Sequence, residues 1–146
     1  MAETNQYLRL DIGGASFLLP GSVRYTIEQG DSLTPNPEPA SPVVAYRLIR
    51  SARWPAYCVN ADLQPAPRSD WQRAVFIESA PEAVGLIVDD VHLLPRGGVQ
   101  VAPFTPLGAP LTPRGHLFAA AWISGRRVTL VLDPPVLIAY LRDLGE

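Results

Sequence analysis

Apolar and polar residues alternate with a period of two at the start of the chain. Leu8, Leu10 and Ile12 fall on one side of an extended segment, Arg9 and Asp11 on the other. That spacing predicts a half-buried strand. Gly13-Gly14 follows, a pair suited to the positive φ angles of a tight hairpin, and Ser16–Leu19 reads as the returning strand. Val23, Tyr25 and Ile27 continue the alternation. Val43–Arg50 and Trp54–Val59 are the next two expected strands, the second placed at a sheet edge or on a bulge because Pro55 donates no ladder hydrogen bond. Arg73–Glu78 and Ala83–Val88 are nearly continuous apolar runs of buried-strand length, with Ala80-Pro81 in the turn between them. Val99–Val101 is a further short candidate. Leu117–Ile123 and Val128–Leu132 flank Ser124-Gly125-Arg126-Arg127 and predict a last hairpin.

The period then changes. Asp133 is a suitable N-cap and Pro134 suits the first helical position. Leu137, Tyr140, Leu141 and Leu144 follow at helical spacing and predict one apolar stripe on a short terminal helix. Between these elements lie Gly30–Pro42, Gln64–Ser69 and Ala102–Gly115, which hold most of the prolines and read as loops.

Composition sharpens this picture. The chain has 146 residues, 47% of them hydrophobic, with 16 prolines and 11 glycines. The length suits one domain, and the apolar fraction is too high for a disordered chain. Frequent proline opposes a helical bundle. A compact, turn-rich, mostly β domain is expected.

Charge and residue usage narrow the function. The net charge is −2 and all 12 basic residues are arginine, spread thinly. No basic surplus exists for phosphate neutralisation, so nucleic-acid binding is not expected. Trp54, Trp71 and Trp122 are assigned to packing, since no basic groove accompanies them. Without lysine there is no P-loop or Schiff-base lysine. Cys58 is the single cysteine, set among apolar residues, and is expected to be a buried inert thiol in a reducing compartment. The start of the chain lacks the cationic and apolar regions of a signal peptide, and the longest uncharged run, Gly97–Pro113, is broken by prolines. No membrane insertion and a cytoplasmic location are expected.

Catalytic and metal-binding patterns are sparse. Gly13-Gly14-Ala15-Ser16 lacks the glycine spacing of a nucleophile elbow. His92 and His116 each lie beside apolar residues with no nucleophile nearby in sequence. Asp89-Asp90-Val91-His92 is the one acid–histidine cluster. On a strand, Asp90 and His92 share a face and Asp89 points away, and two ligands do not make a site. No catalytic residue, metal or cofactor is expected, and the competing class is a protein-interaction module.

The second half carries a layout that resembles a known family. Arg73-Ala-Val-Phe-Ile-Glu78 precedes Ala83-Val-Gly-Leu-Ile-Val-Asp-Asp-Val91, and Ala120-Ala-Trp-Ile-Ser-Gly-Arg-Arg-Val-Thr-Leu-Val-Leu-Asp133 leads into the terminal helix. This is similar to the CheW-like domain of bacterial chemotaxis proteins, with its "vvGllVDxV" strand and its late hairpin. Tyr7–Ile12, Gly13-Gly14 and Phe17–Val23 resemble the family's opening hairpin. Arg50 and Pro55 match the arginine and proline of its "NLRGxxIPvvdL" segment. Where the family carries asparagine, glycine and glutamate, this chain has Leu48, Ser51 and Tyr25.

The resemblance implies two interlocked five-stranded SH3-like barrels with a shared apolar core and a short C-terminal helix. It implies a tail at 1–6 and one domain over 7–144. It further implies a non-catalytic adaptor that couples chemoreceptor cytoplasmic tips to the regulatory domain of a CheA-type histidine kinase. A type IV pilus (twitching motility) system is one setting for such an adaptor. The alternative is a degenerate domain that binds another partner, such as a pilus-motility regulator or a polar-localisation protein. The partner-binding positions it implies are Val23, Arg50, Val88 and Asp89, with Arg50 either a contact residue or an internal brace.

Overall fold

The computed structural model describes residues 6–103 and 115–146. Most of the expected tail and most of the irregular Ala102–Gly115 stretch lie outside the described residues. The described strands are β1 (Tyr7–Ile12), β2 (Ala15–Pro20), β3 (Tyr25–Gln29), β4 (Thr34–Pro35), β5 (Val43–Ile49), β6 (Ala52–Tyr57), β7 (Arg73–Ser79), β8 (Glu82–Val88), β9 (Asp90–Leu93), β10 (Val101–Pro103), β11 (Phe118–Ser124) and β12 (Arg127–Leu132). One α-helix, α1 (Pro134–Asp143), closes the chain.

Two sheets form. The first has the order β10-β11-β12-β2-β1-β9 and the second β3-β7-β8-β6-β5-β4. The chain therefore enters the first sheet, leaves it after β2, completes the second, and returns through β9. The expected mostly β architecture with one terminal helix is present. Five-stranded closed barrels are not what the described residues form: among them each sheet has six strands, and the end strands of the first do not pair with each other. The extra members are short. β4 has two residues and β9 has four, so neither leaves a long local signature.

Strand periodicity explains how two sheets produce three cores. On β7, Val75 and Ile77 enter the central core while Ala74 and Phe76 enter a second. On β8, Val84, Leu86 and Val88 face the central core, and Ala83 and Ile87 the other side. Both faces are buried, which is why these strands read as continuous apolar runs. On β1, Leu8 and Leu10 face the central core while Tyr7 packs with Leu18, Val99, Ala120 and Val131 in a third. The central core thus takes residues from both sheets and from Leu137, Ile138 and Leu141 of α1.

Several local features have identifiable causes. Gly13 and Gly14 have φ of +57° and +87°, as the two-residue β1–β2 hairpin requires. Pro55 is not on an edge: β6 lies between β5 and β8. It is tolerated because the parallel pairing with β8 occurs at Ala56 and Tyr57, just beyond it. The Gly30–Pro42 stretch holds a 3-10 turn at Gly30–Ser32 and the edge strand β4, where Pro35 pairs with Ala45 on one side only. The Ala80-Pro81 peptide bond is cis. Asp133 occupies the N-cap position, but its side chain makes no capping hydrogen bond; its carbonyl instead accepts from the Leu137 N–H at 2.8 Å. Ile138 joins the buried stripe of α1 beside Leu137 and Leu141, because the helix packs against more than one surface.

Candidate functional site

The four residues singled out from the sequence occupy two separate ends of the second sheet. β6 runs parallel to β8 with Ala56 beside Gly85, so the start of β6 lies level with the Ala80-Pro81 turn. Arg50, at the tip of the β5–β6 hairpin, is at that end. Val23 is there too, because it precedes β3, whose Tyr25 pairs with Ile77 near the end of β7. Val88 and Asp89 lie at the opposite end of β8, roughly 20 Å away at the rise of a strand.

Arg50 is exposed and has a φ of +52°, a left-handed conformation that costs a non-glycine residue about 1 kcal/mol. Among the described residues no hydrogen bond or ion pair reaches its guanidinium. Leu48, two residues earlier, is 58% exposed although it stands on a strand. Arg53, its cross-strand partner, lies over the Tyr46 ring at 4.1 Å and pairs with Glu146 at 3.3 Å. The hairpin tip therefore presents an apolar side chain and an unengaged guanidinium fork together. Leu48 was missed as a surface candidate, because on an amphipathic strand an apolar residue gives no sign of facing out.

Val23 is half-buried and packs against the central core, and Val88 is 1% exposed within it. Asp89 is the single residue between β8 and β9 and carries the chain from one sheet to the other. Its backbone N–H donates to the Asp11 carbonyl at 2.7 Å. Its carboxylate accepts from the Gly13 N–H at 2.7 Å and from the Arg68 guanidinium. Arg68 also lies 3.7 Å from Asp70. The Arg68 hydrogen bond, opposed by partial burial and helped by Gly13, holds the Asp89 carboxyl below the usual carboxylate range.

The sign of the resulting pH dependence follows. A depressed native pKa stabilises the fold above the unfolded value of about 4, and that contribution is lost as pH falls through the native value. Asp89→Asn should cost about 1 kcal/mol at neutral pH, discounted for the exposure of the pair. The difference between variant and parent should vanish in acid, below the native pKa. Urea melts taken in steps from pH 7 down into acid would check both limbs.

Across the β1–β9 ladder, Asp11 stands opposite Asp90 and Arg9 opposite His92. This brings a third side chain to the Asp90/His92 face, one that local sequence cannot supply. His92 Nε2 lies 3.1 Å from Asp90 Oδ2 and 3.5 Å from Asp11 Oδ2. The Val91 N–H, aided by His92 and Arg73, holds the Asp90 carboxyl below its usual range. Ser16 Oγ donates to Asp11 Oδ1 at 2.7 Å. The acid thus sits between hydroxyl and imidazole, the reverse of a nucleophilic relay, in which histidine is the middle member. Asp11, Asp90 and His92 are the described group with metal-ligand geometry.

Two remaining candidates carry less. Cys58 is fully buried, and burial pushes its thiol up. An open cleft of about 520 Å³ is lined by Pro35, Pro37, Pro39 and Trp71, but Arg68, which also lines it, is held by Asp89. No helix among the described residues is long and apolar enough to cross a membrane.

No family model and no curated protein matches the chain. Among solved structures, the scaffolding protein TtCheW from Thermoanaerobacter tengcongensis superposes with a TM-score of 0.64 at 15% identity, covering 90% of each chain. The overall fold described above is thus shared with a CheW scaffolding protein.

Proposed function

We propose that this protein is a non-catalytic, cytoplasmic adaptor of chemotaxis-type signal transduction. It couples chemoreceptor cytoplasmic tips to the regulatory domain of a CheA-type histidine kinase by protein contact alone. The observation that carries this reading is the likeness of fold to a scaffolding protein over 90% of both chains. The placement of the candidate residues supports it. Arg50 and Leu48 form an exposed contact pair at one end of the second sheet, and Asp89 marks the other end, so two partners can be served without competing for one surface. An arginine fork suits such a role because it satisfies several acceptors at once.

Calorimetry with a purified receptor tip fragment and a kinase regulatory domain tests the proposal. Micromolar binding to each is expected, as for modest signalling interfaces. Absence of binding to both, with folded protein confirmed, would sink it. Arg50→Ala should weaken one of the two interactions tenfold or more with the melting temperature nearly unchanged, since alanine keeps the unfavourable φ. Arg50→Gly should weaken the same interaction yet raise stability by about 1 kcal/mol, a gain of roughly 3 °C. A fall in melting temperature for either variant would mean that Arg50 is a brace.

A further inference from the structure

We propose that Asp11, Asp90 and His92 form a binding site for a divalent ion of the zinc class. The three side chains come from two adjacent strands and share the face opposite Leu10. Bonds of about 2.0–2.2 Å to nitrogen and oxygen give tetrahedral ligand–ligand edges of roughly 3.3–3.6 Å. The separations of His92 Nε2 from Asp90 Oδ2 and Asp11 Oδ2, 3.1 and 3.5 Å, lie close to that edge length. One ligand atom from each residue lies within 4.8 Å of the others, so small side-chain rotations complete the triangle.

The surroundings hold the carboxylates in place from outside the triangle. Asp11 Oδ1 accepts from Ser16 Oγ at 2.7 Å and lies 3.3 Å from Arg9 Nε. Asp90 Oδ1 accepts from Arg73 Nη1 at 3.0 Å and from the Val91 N–H at 2.9 Å. In each carboxylate one oxygen is fixed by such a partner, and the other, Oδ2, is turned toward the imidazole. This is the arrangement that orients ligating carboxylates in metal sites. The imidazole donor selects zinc, nickel or cobalt over calcium and magnesium, which prefer all-oxygen shells. Three protein ligands leave a fourth position for water. All three side chains are partly exposed, so an ion can enter from solvent. Arg9 and Arg73 offset part of the negative charge, which moderates the affinity. A bound ion would fasten the edge strand β9 to β1 beside the point where the chain returns to the first sheet.

The test titrates the full chain with ZnCl₂ against a chromophoric chelator, and with CoCl₂ followed by visible absorption. One equivalent per chain is expected at pH 7.5. His92→Ala and Asp90→Asn should each lower affinity at least tenfold and remove the cobalt absorption band. His116→Ala should leave both unchanged. Circular dichroism confirms folding, and Asp90→Asn preserves shape if His92→Ala does not fold. Two results would overturn the proposal. One is the absence of saturable binding. The other is equal affinity in the parent and His92→Ala, which would place the ion elsewhere.

Discussion

Gly85→Ala is expected to lower stability by about 3 kcal/mol, the upper part of the range for overpacking a rigid site. A Cβ at this position would stand 2.7, 2.9 and 3.0 Å from Cε1, Cζ and Cδ1 of Phe76. The ring cannot retreat easily. Phe76 is 1% exposed and is packed in the second core with Ala45, Ala56, Cys58, Ala74, Ala83 and Ile87. Gly85 is also hemmed in laterally, with Phe76 opposite it on β7 and Ala56 beside it on β6. The measurement is a urea melt with an unchanged m-value. Adding Phe76→Leu supplies the control. If the collision is the cause, the double variant should lose clearly less than the sum of the two single losses. Additive losses would remove this explanation.

Leu137→Ala is expected to cost about 3 kcal/mol, within the range for emptying a fully buried leucine site. For a chain of this size that is a fall of roughly 6–12 °C in melting temperature. Leu137 is 0% exposed and belongs to the central core, which includes Leu8, Leu10 and Leu132 from the first sheet and Val75, Val84 and Leu86 from the second. Because the cavity opens in a core both sheets share, unfolding should remain one cooperative transition shifted to lower denaturant. Two resolved transitions would show that the sheets are stabilised independently.

These two sites also show how far the sequence reaches. Gly85 sits in the middle of an apolar run whose two-sided burial was legible from its length and β-branched content. Nothing local, however, indicates that Phe76 lies over it, since that depends on the β7–β8 register. The helix was legible from its spacing, but Ile138 falls outside a stripe drawn for one contact surface and is buried because the helix meets more than one. β9 was missed because only Asp89 separates it from β8, and no glycine or proline announces the change of sheet. Arg50 was singled out by resemblance. Its positive φ and its freedom from partners among the described residues are tertiary facts. The junction of Asp11 with His92 is of the same kind. Each residue is unremarkable in its own segment, and only the β1–β9 pairing makes them neighbours.

The single-residue crossing at Asp89 has a consequence for assembly. All strands of the second sheet come from one uninterrupted stretch, β3 to β8, so their pairings can close as that stretch is synthesised. The first sheet is divided around it. The β1–β2 hairpin precedes that stretch in the chain but gains its neighbours only after it, β9 directly and β12 last. Until each neighbour arrives, the flank it will cover carries unpaired backbone groups, the kind of edge at which chains pair wrongly. The second sheet thus serves as an early template, and the segment from β9 to β12 acts as a latch that protects the β1–β2 hairpin.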